Sequence, residues 1–92
     1  DLAAQMGVAE RVRFLGWRDD RSALLKAADV VLVPSRYEPF GNVVVNAWAH
    51  GVPLVAAASQ GPGFLVRDGE DGFKVPVDDA AALARAVNAV LA

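Results

Sequence analysis

Pro34-Ser35-Arg36-Tyr37-Glu38-Pro39-Phe40-Gly41-Asn42-Val43-Val44-Val45-Asn46-Ala47-Trp48-Ala49-His50-Gly51 is the stretch whose reading decides the fold. Before it runs Asp29-Val30-Val31-Leu32-Val33, a continuous apolar strand of the kind buried on both faces at the centre of a parallel sheet. Pro34 and Ser35 stop that strand, and a loop through Gly41 opens a helix over residues 42–50. Gly51 stands where a left-handed C-cap is wanted. Pro53-Leu54-Val55-Ala56-Ala57 then reads as the next strand, with its proline at the first position, where it is tolerated.

Working outward, the same alternation of strand and helix continues. Val12-Arg13-Phe14-Leu15 reads as an earlier strand closed by Gly16, and Asp19 or Asp20 can cap a helix to Ala27 with Leu24 and Leu25 facing inward. Downstream, residues 61–66 form a turn or short helix. The turn Asp68-Gly69-Glu70-Asp71-Gly72 leads into a short strand over residues 73–76. A last helix starts at Asp79, with Asp78 as its cap, and places Leu83, Val87, Val90 and Leu91 on one face. The expected fold is α/β: a partial Rossmann-like parallel sheet of about four strands with flanking helices, forming one partial domain over residues 1–92.

Composition excludes several classes of function. The 92 residues are 54% hydrophobic, which calls for a packed core, and carry a net charge of −2 with both signs interspersed. Such a balance leaves no basic footprint for nucleic acid and no polybasic patch for a membrane surface. Thiolate metal sites and disulfides are excluded by the lack of cysteine, and one histidine, His50, cannot build a cluster. The acidic turn at residues 68–72 lacks the ligand spacing of a calcium loop. No run reaches the roughly 20 apolar residues needed to span a bilayer.

Chemistry is expected where the 34–51 stretch turns from strand to helix. A helix N-terminus leaves backbone N–H groups unpaired and carries partial positive charge, so a diphosphate fits it without a side-chain cation. Gly41 would let a ligand approach the backbone closely, Glu38 would accept hydrogen bonds from sugar hydroxyls, and Asn46 can donate or accept. By this argument alone, an ordinary strand-to-helix connection explains the residues equally well. Ser35 and Ser59 follow strands, but no histidine lies near enough in pattern to make either a nucleophile. His50, at the end of a helix, reads as structural, and Trp48 as core or contact surface.

The residues from Val33 to Gly41, then Ala47-Trp48-Ala49-His50-Gly51-Val52-Pro53-Leu54-Val55-Ala56, resemble the signature of the group 1 (family 4) retaining glycosyltransferases. Residues 11–16, Ala28-Asp29-Val30 and residues 68–76 resemble flanking segments of the same domain in the same order, so the resemblance covers nearly the whole chain. It implies the C-terminal half of the donor-binding domain of a two-domain GT-B enzyme. That domain would recognise a nucleotide-diphosphate sugar without a metal or other cofactor, facing an N-terminal acceptor domain.

Residue by residue, the resemblance implies that Glu38 contacts the transferred sugar and that the backbone of Phe40, Gly41 and Asn42 meets sugar and phosphate. The family's second glutamate, which binds the ribose, is Asn46 here, so weaker nucleotide affinity is expected. Trp17 and Arg18 fall in the segment that borders the nucleobase, with a surface role the alternative. Phe64 stands where the family usually has an acid, and Lys74 where it usually has an aliphatic residue. No catalytic residue is assigned within this chain.

The resemblance also sets expectations about what surrounds the chain. A parent enzyme would be cytoplasmic, at the inner face of a bacterial membrane in a lipopolysaccharide or exopolysaccharide pathway. In the usual strand order 3-2-1-4-5-6 the Val12 strand would lie at an edge, apart from the Asp29 strand. The isolated chain is then expected to pair its Asp29 and Pro53 strands, to self-associate, and to be inactive alone, because positioning both reactants needs the whole cleft. The alternative of a different class is a noncatalytic, degenerate or engineered Rossmann-type module.

Overall fold

The computed structural model describes residues 2–39 and 41–92. Three parallel strands, β1 (Val31–Val33), β2 (Leu54–Ala57) and β3 (Phe73–Val75), form a sheet in that order. Register pairs Leu32 with Val55 and Val55 with Phe73. Five α-helices accompany the sheet among the described residues: α1 (Leu2–Gln5), α2 (Arg21–Ala27), α3 (Asn42–Ala49), α4 (Gln60–Leu65) and α5 (Ala80–Leu91).

Period-two alternation sorts the strand residues onto two faces. Val33, Leu54 and Ala56 join Val44 and Ala47 of α3, together with Val66, in one buried cluster. Val55 and Ala57 turn to the other face, where α5 packs on β2 and β3. All four residues of β2 are buried, because it is the central strand and both its faces are covered. The pairing of the Asp29 and Pro53 strands is as expected from the sequence.

Four expectations need correction. Residues 12–15 do not join the sheet, so three strands stand where about four were expected. Val12 is extended, but Phe14 is 84% exposed: a strand gains its stability from a ladder and a covered face, and this segment finds neither among the described residues. Leu32 of β1 is 43% exposed rather than covered, because β1 is an edge strand and α5 lies over its neighbours. On α2, Leu25 is half-buried but Leu24 is exposed, since that short helix meets little of the core.

The last correction concerns the cap of α5. Asp79, not Asp78, caps it, accepting the Ala82 amide at 2.9 Å. Asp78 adopts a left-handed conformation (φ 63°), which aspartate tolerates, and gives its carboxylate to Arg36. On α5 itself, Leu83, Val87 and Val90 are half-buried while Leu91, in the last turn, is exposed.

Candidate functional site

Two helices converge on the loop between β1 and α3. Gly41 occupies the N-cap of α3 at φ 70°, a left-handed conformation that a side chain would strain. A β-carbon there would lie 2.9 Å from Leu65 Cδ1 and 3.4 Å from the Gly61 carbonyl carbon. The open side of this glycine is thus filled by α4, so its smallness lets α4 close on the loop. The sequence suggested close approach of a ligand as its purpose; in the structure that side of the glycine is taken by Leu65 and Gly61.

Glu38 is held on three sides. Its backbone N–H donates to Gln60 Oε1 at 3.2 Å, its carbonyl accepts the Gly61 amide at 2.7 Å, and its carboxylate faces the Gly41 amide at 3.4 Å. Along this turn the amide of Glu38 is therefore used, and that of Gly41 is shared with a carboxylate. The amides of Asn42 and Val43, at the mouth of α3, meet no acceptor among the described residues. Half-buried Glu38 and these two N–H donors, without an acceptor among the described residues, lie on either side of Gly41, a pairing of groups that suits a hydroxylated anion.

The other residues singled out from the sequence fall in different places. Phe40 lies outside the described residues. Asn46 is half-buried one turn along α3 from Asn42, on the same side of the helix, and its carbonyl is taken by His50. Trp17 is 88% exposed, and Arg18 forms a two-point ion pair with Asp20. That pairing lowers the Asp20 carboxyl below its ordinary range, chiefly through the hydrogen bonds from Arg18, and occupies the carboxylate that would otherwise cap α2. Neither Trp17 nor Arg18 makes a hydrogen bond or ion pair with residues 38–46 among the described residues.

His50 Nδ1–H donates to the Asn46 carbonyl at 2.8 Å, and Nε2 shares a hydrogen bond with the Ser22 hydroxyl at 3.2 Å. This ties the start of α2 to the end of α3 opposite the mouth. Trp48 packs on the core cluster and donates from Nε1 to the Asp71 carbonyl at 2.7 Å, pinning the acidic turn. In that turn, Asp71 accepts the Arg67 amide and guanidinium, which together hold its carboxyl below the usual range. Lys74 donates from its ammonium to the Gly63 carbonyl near the end of α4, favourable charge at a helix C-terminus. Phe64 is 88% exposed.

A cleft of about 310 Å³ opens where the strands end at their carboxyl termini, between them and the start of α5. Pro34, Arg36, Ala57, Val75, Asp78 and Leu83 line it, and Arg36 and Asp78 pair across its rim. Glu38 and Asn42 do not line it; the loop at the mouth of α3 and this cleft are separate features. Gln60, which no sequence motif singles out, lies 22 residues from Glu38. No local pattern marks a partner at that distance, and only the packing of α4 on the loop brings the two together.

A parallel α/β sheet with a helix opening at a strand's carboxyl end is the architecture of part of a Rossmann-like domain. Residues 1–92, the whole chain, match the family described as Glycosyl transferases group 1, and the chain belongs to that family. It is 46% identical over 91 residues to the lipopolysaccharide core biosynthesis glycosyltransferase LpsE of Rhizobium meliloti, covering 99% of this chain and 27% of that protein. It is also 46% identical over 93 residues to a D-inositol 3-phosphate glycosyltransferase of Salinispora tropica, covering 99% of this chain and 19% of that one. The chain thus spans about a quarter of the length of these relatives, or less.

Solved structures have the same fold. Anabaena Alr3699/HepE in complex with UDP-glucose superposes with a TM-score of 0.93 at 38% identity, over 97% of this chain and 25% of that one. Sucrose-phosphate synthase of Thermosynechococcus elongatus superposes with a TM-score of 0.90 at 41% identity, over 98% and 23%. These neighbours are GT-B glycosyltransferases, and the three-stranded sheet with its helices corresponds to part of that fold. No helix among the described residues is long and apolar enough to cross a membrane.

Proposed function

We propose that this chain is the nucleotide-sugar-recognising half of a GT-B donor domain, part of a retaining transferase that moves a sugar to a glycan or lipid-linked acceptor. The observation that carries the reading is the mouth of α3, where the Glu38 carboxylate faces the Gly41 amide and the next two amides, of Asn42 and Val43, have no acceptor among the described residues. The amides would receive a phosphate of the donor, and Glu38 would accept from pyranose hydroxyls. The backbone of Gly41 and, by the family resemblance, of Phe40 would meet the same donor groups. Asn46, one turn further on, would hydrogen-bond the ribose without charge assistance. Trp17 and Arg18 would border the base. Solved relatives in complex with UDP and with UDP-glucose support a uridine nucleotide sugar as the donor class.

In this reading no metal or other cofactor takes part, because backbone amides supply the positive potential that a divalent cation would otherwise give. An acceptor domain completes the cleft, so the chain alone binds without turning over. The open edge of β1 and the exposed segment 12–15 would favour self-association of the isolated chain. The parent enzyme would work in the cytoplasm, at the inner face of a bacterial membrane where lipid-linked acceptors are built.

A noncatalytic module is the second reading. It is favoured by one observation: two positions where the family carries acids hold Asn46 and the 88% exposed Phe64. Calorimetric titration with UDP-glucose separates the two readings. Saturable heat abolished by Glu38→Ala supports donor recognition. No heat at millimolar UDP-glucose would leave only the module.

A further inference from the structure

Glu38 belongs to a loop with no regular hydrogen bonding of its own, yet both its backbone polar groups are occupied. Each is met from the first turn of α4: the amide by the Gln60 side chain at 3.2 Å, the carbonyl by the Gly61 amide at 2.7 Å. A backbone N–H can only donate, so the Gln60 atom it meets must be the carboxamide oxygen. The carboxamide nitrogen, with two donors, then has no partner among the described residues and lies beside Glu38. Close packing brings α4 to this position, with Leu65 and Gly61 filling the space where Gly41 lacks a side chain.

We infer that Gln60 is a positioning residue: it clamps the Glu38 backbone so that the Glu38 carboxylate is set for the sugar of the donor. The inference rests on the reading of Glu38 as the sugar contact. Gly61 holds the carbonyl through its main chain, which any residue would supply. Gln60 holds the amide through a side chain, so this half of the clamp depends on residue identity. Without it Glu38 can rotate about its own φ, and the carboxylate leaves the Gly41 amide it now faces.

The test uses the 92-residue chain with UDP and UDP-glucose as probes and two variants, Gln60→Ala and Gln60→Glu. Gln60 is exposed, so neither change removes core packing. By backbone amide exchange, Gln60→Ala should lower protection of the Glu38 amide roughly fivefold, as loss of one hydrogen bond implies, while Gln60→Glu keeps an acceptor oxygen and restores it. By titration, Gln60→Ala should erase most of the preference for UDP-glucose over UDP and leave UDP affinity within about twofold of wild type.

Unchanged Glu38 protection in Gln60→Ala would overturn the clamp. Equal weakening of UDP and UDP-glucose would reduce Gln60 to a general loop support and overturn the positioning role. A wild-type chain that binds neither probe defeats the donor-recognition reading itself, and with it the purpose assigned to Gln60. The amide-exchange comparison then still reports whether the clamp exists, so the two failures are told apart.

Discussion

Gly41→Ala offers the most direct test of how the site is built, with Gly51→Ala as its internal control. Both glycines are left-handed, at φ 70° and φ 68°, so each substitution carries a conformational cost of about 1–2 kcal/mol. They differ in what a β-carbon would meet. At Gly51 nothing lies within 4 Å, whereas at Gly41 the new methyl lies 2.9 Å from Leu65 Cδ1 and 3.4 Å from the Gly61 backbone. Overpacking of that kind adds about 1–3 kcal/mol, giving roughly 2–5 kcal/mol for Gly41→Ala against about 1–2 for Gly51→Ala.

A domain of this size holds on the order of 5–14 kcal/mol in total, so the larger loss is easily read by urea unfolding at constant m-value. The clash involves the far end of one side chain, so Leu65→Ala in the Gly41→Ala background should recover about 1 kcal/mol or more relative to additivity. If Gly41→Ala costs no more than Gly51→Ala, or if the double variant is additive, the packing of α4 on the loop is wrong. The positions assigned to Glu38 and Gln60 would fall with it.

Asn46→Glu should tighten UDP binding several-fold by adding charge to a neutral hydrogen bond worth about 1 kcal/mol, measured by calorimetry; unchanged affinity would remove Asn46 from the ribose site. Trp48→Phe keeps the ring packing but leaves the Asp71 carbonyl without its indole donor, so thermal unfolding should show a loss of about 1 kcal/mol. The Asp71 carboxyl is depressed by the Arg67 amide and guanidinium, so its stabilising contribution is complete above its unfolded pKa near 4 and is lost as pH falls through the lower folded value. Acid titration followed by NMR should therefore loosen the 67–74 turn below about pH 4, and Asp71→Asn should flatten that dependence.

The corrections share one cause. Residues 12–15 and Leu32 were read from local pattern as strand and as doubly covered strand, and both readings depend on neighbours that a local pattern does not contain. Val12-Arg13-Phe14-Leu15 has the composition of a strand, but a ladder needs a second chain segment at the right distance. Leu32 has the composition of a central strand, but the strand order makes β1 an edge. The cap of α5 shifted by one residue because the long-range pair between Arg36 and Asp78 draws Asp78 away.

By itself the sequence determined the α/β class, the strand read over residues 29–33 and observed at 31–33, the helix opening at Asn42, the pairing of that strand with the one after Pro53, and the family. Each rests on short-range regularities: β-branched runs, Gly and Pro punctuation, and a motif contiguous in the chain. Only the tertiary structure decided that the Glu38 carbonyl is held by the Gly61 amide, that the bare side of Gly41 is occupied by α4, and that Gln60 grips Glu38. Those facts are contacts between residues about twenty positions apart, set by how α4 packs against the loop after β1. The local periodicities that encode helix and strand carry no record of which side chain will fill a neighbour's empty space.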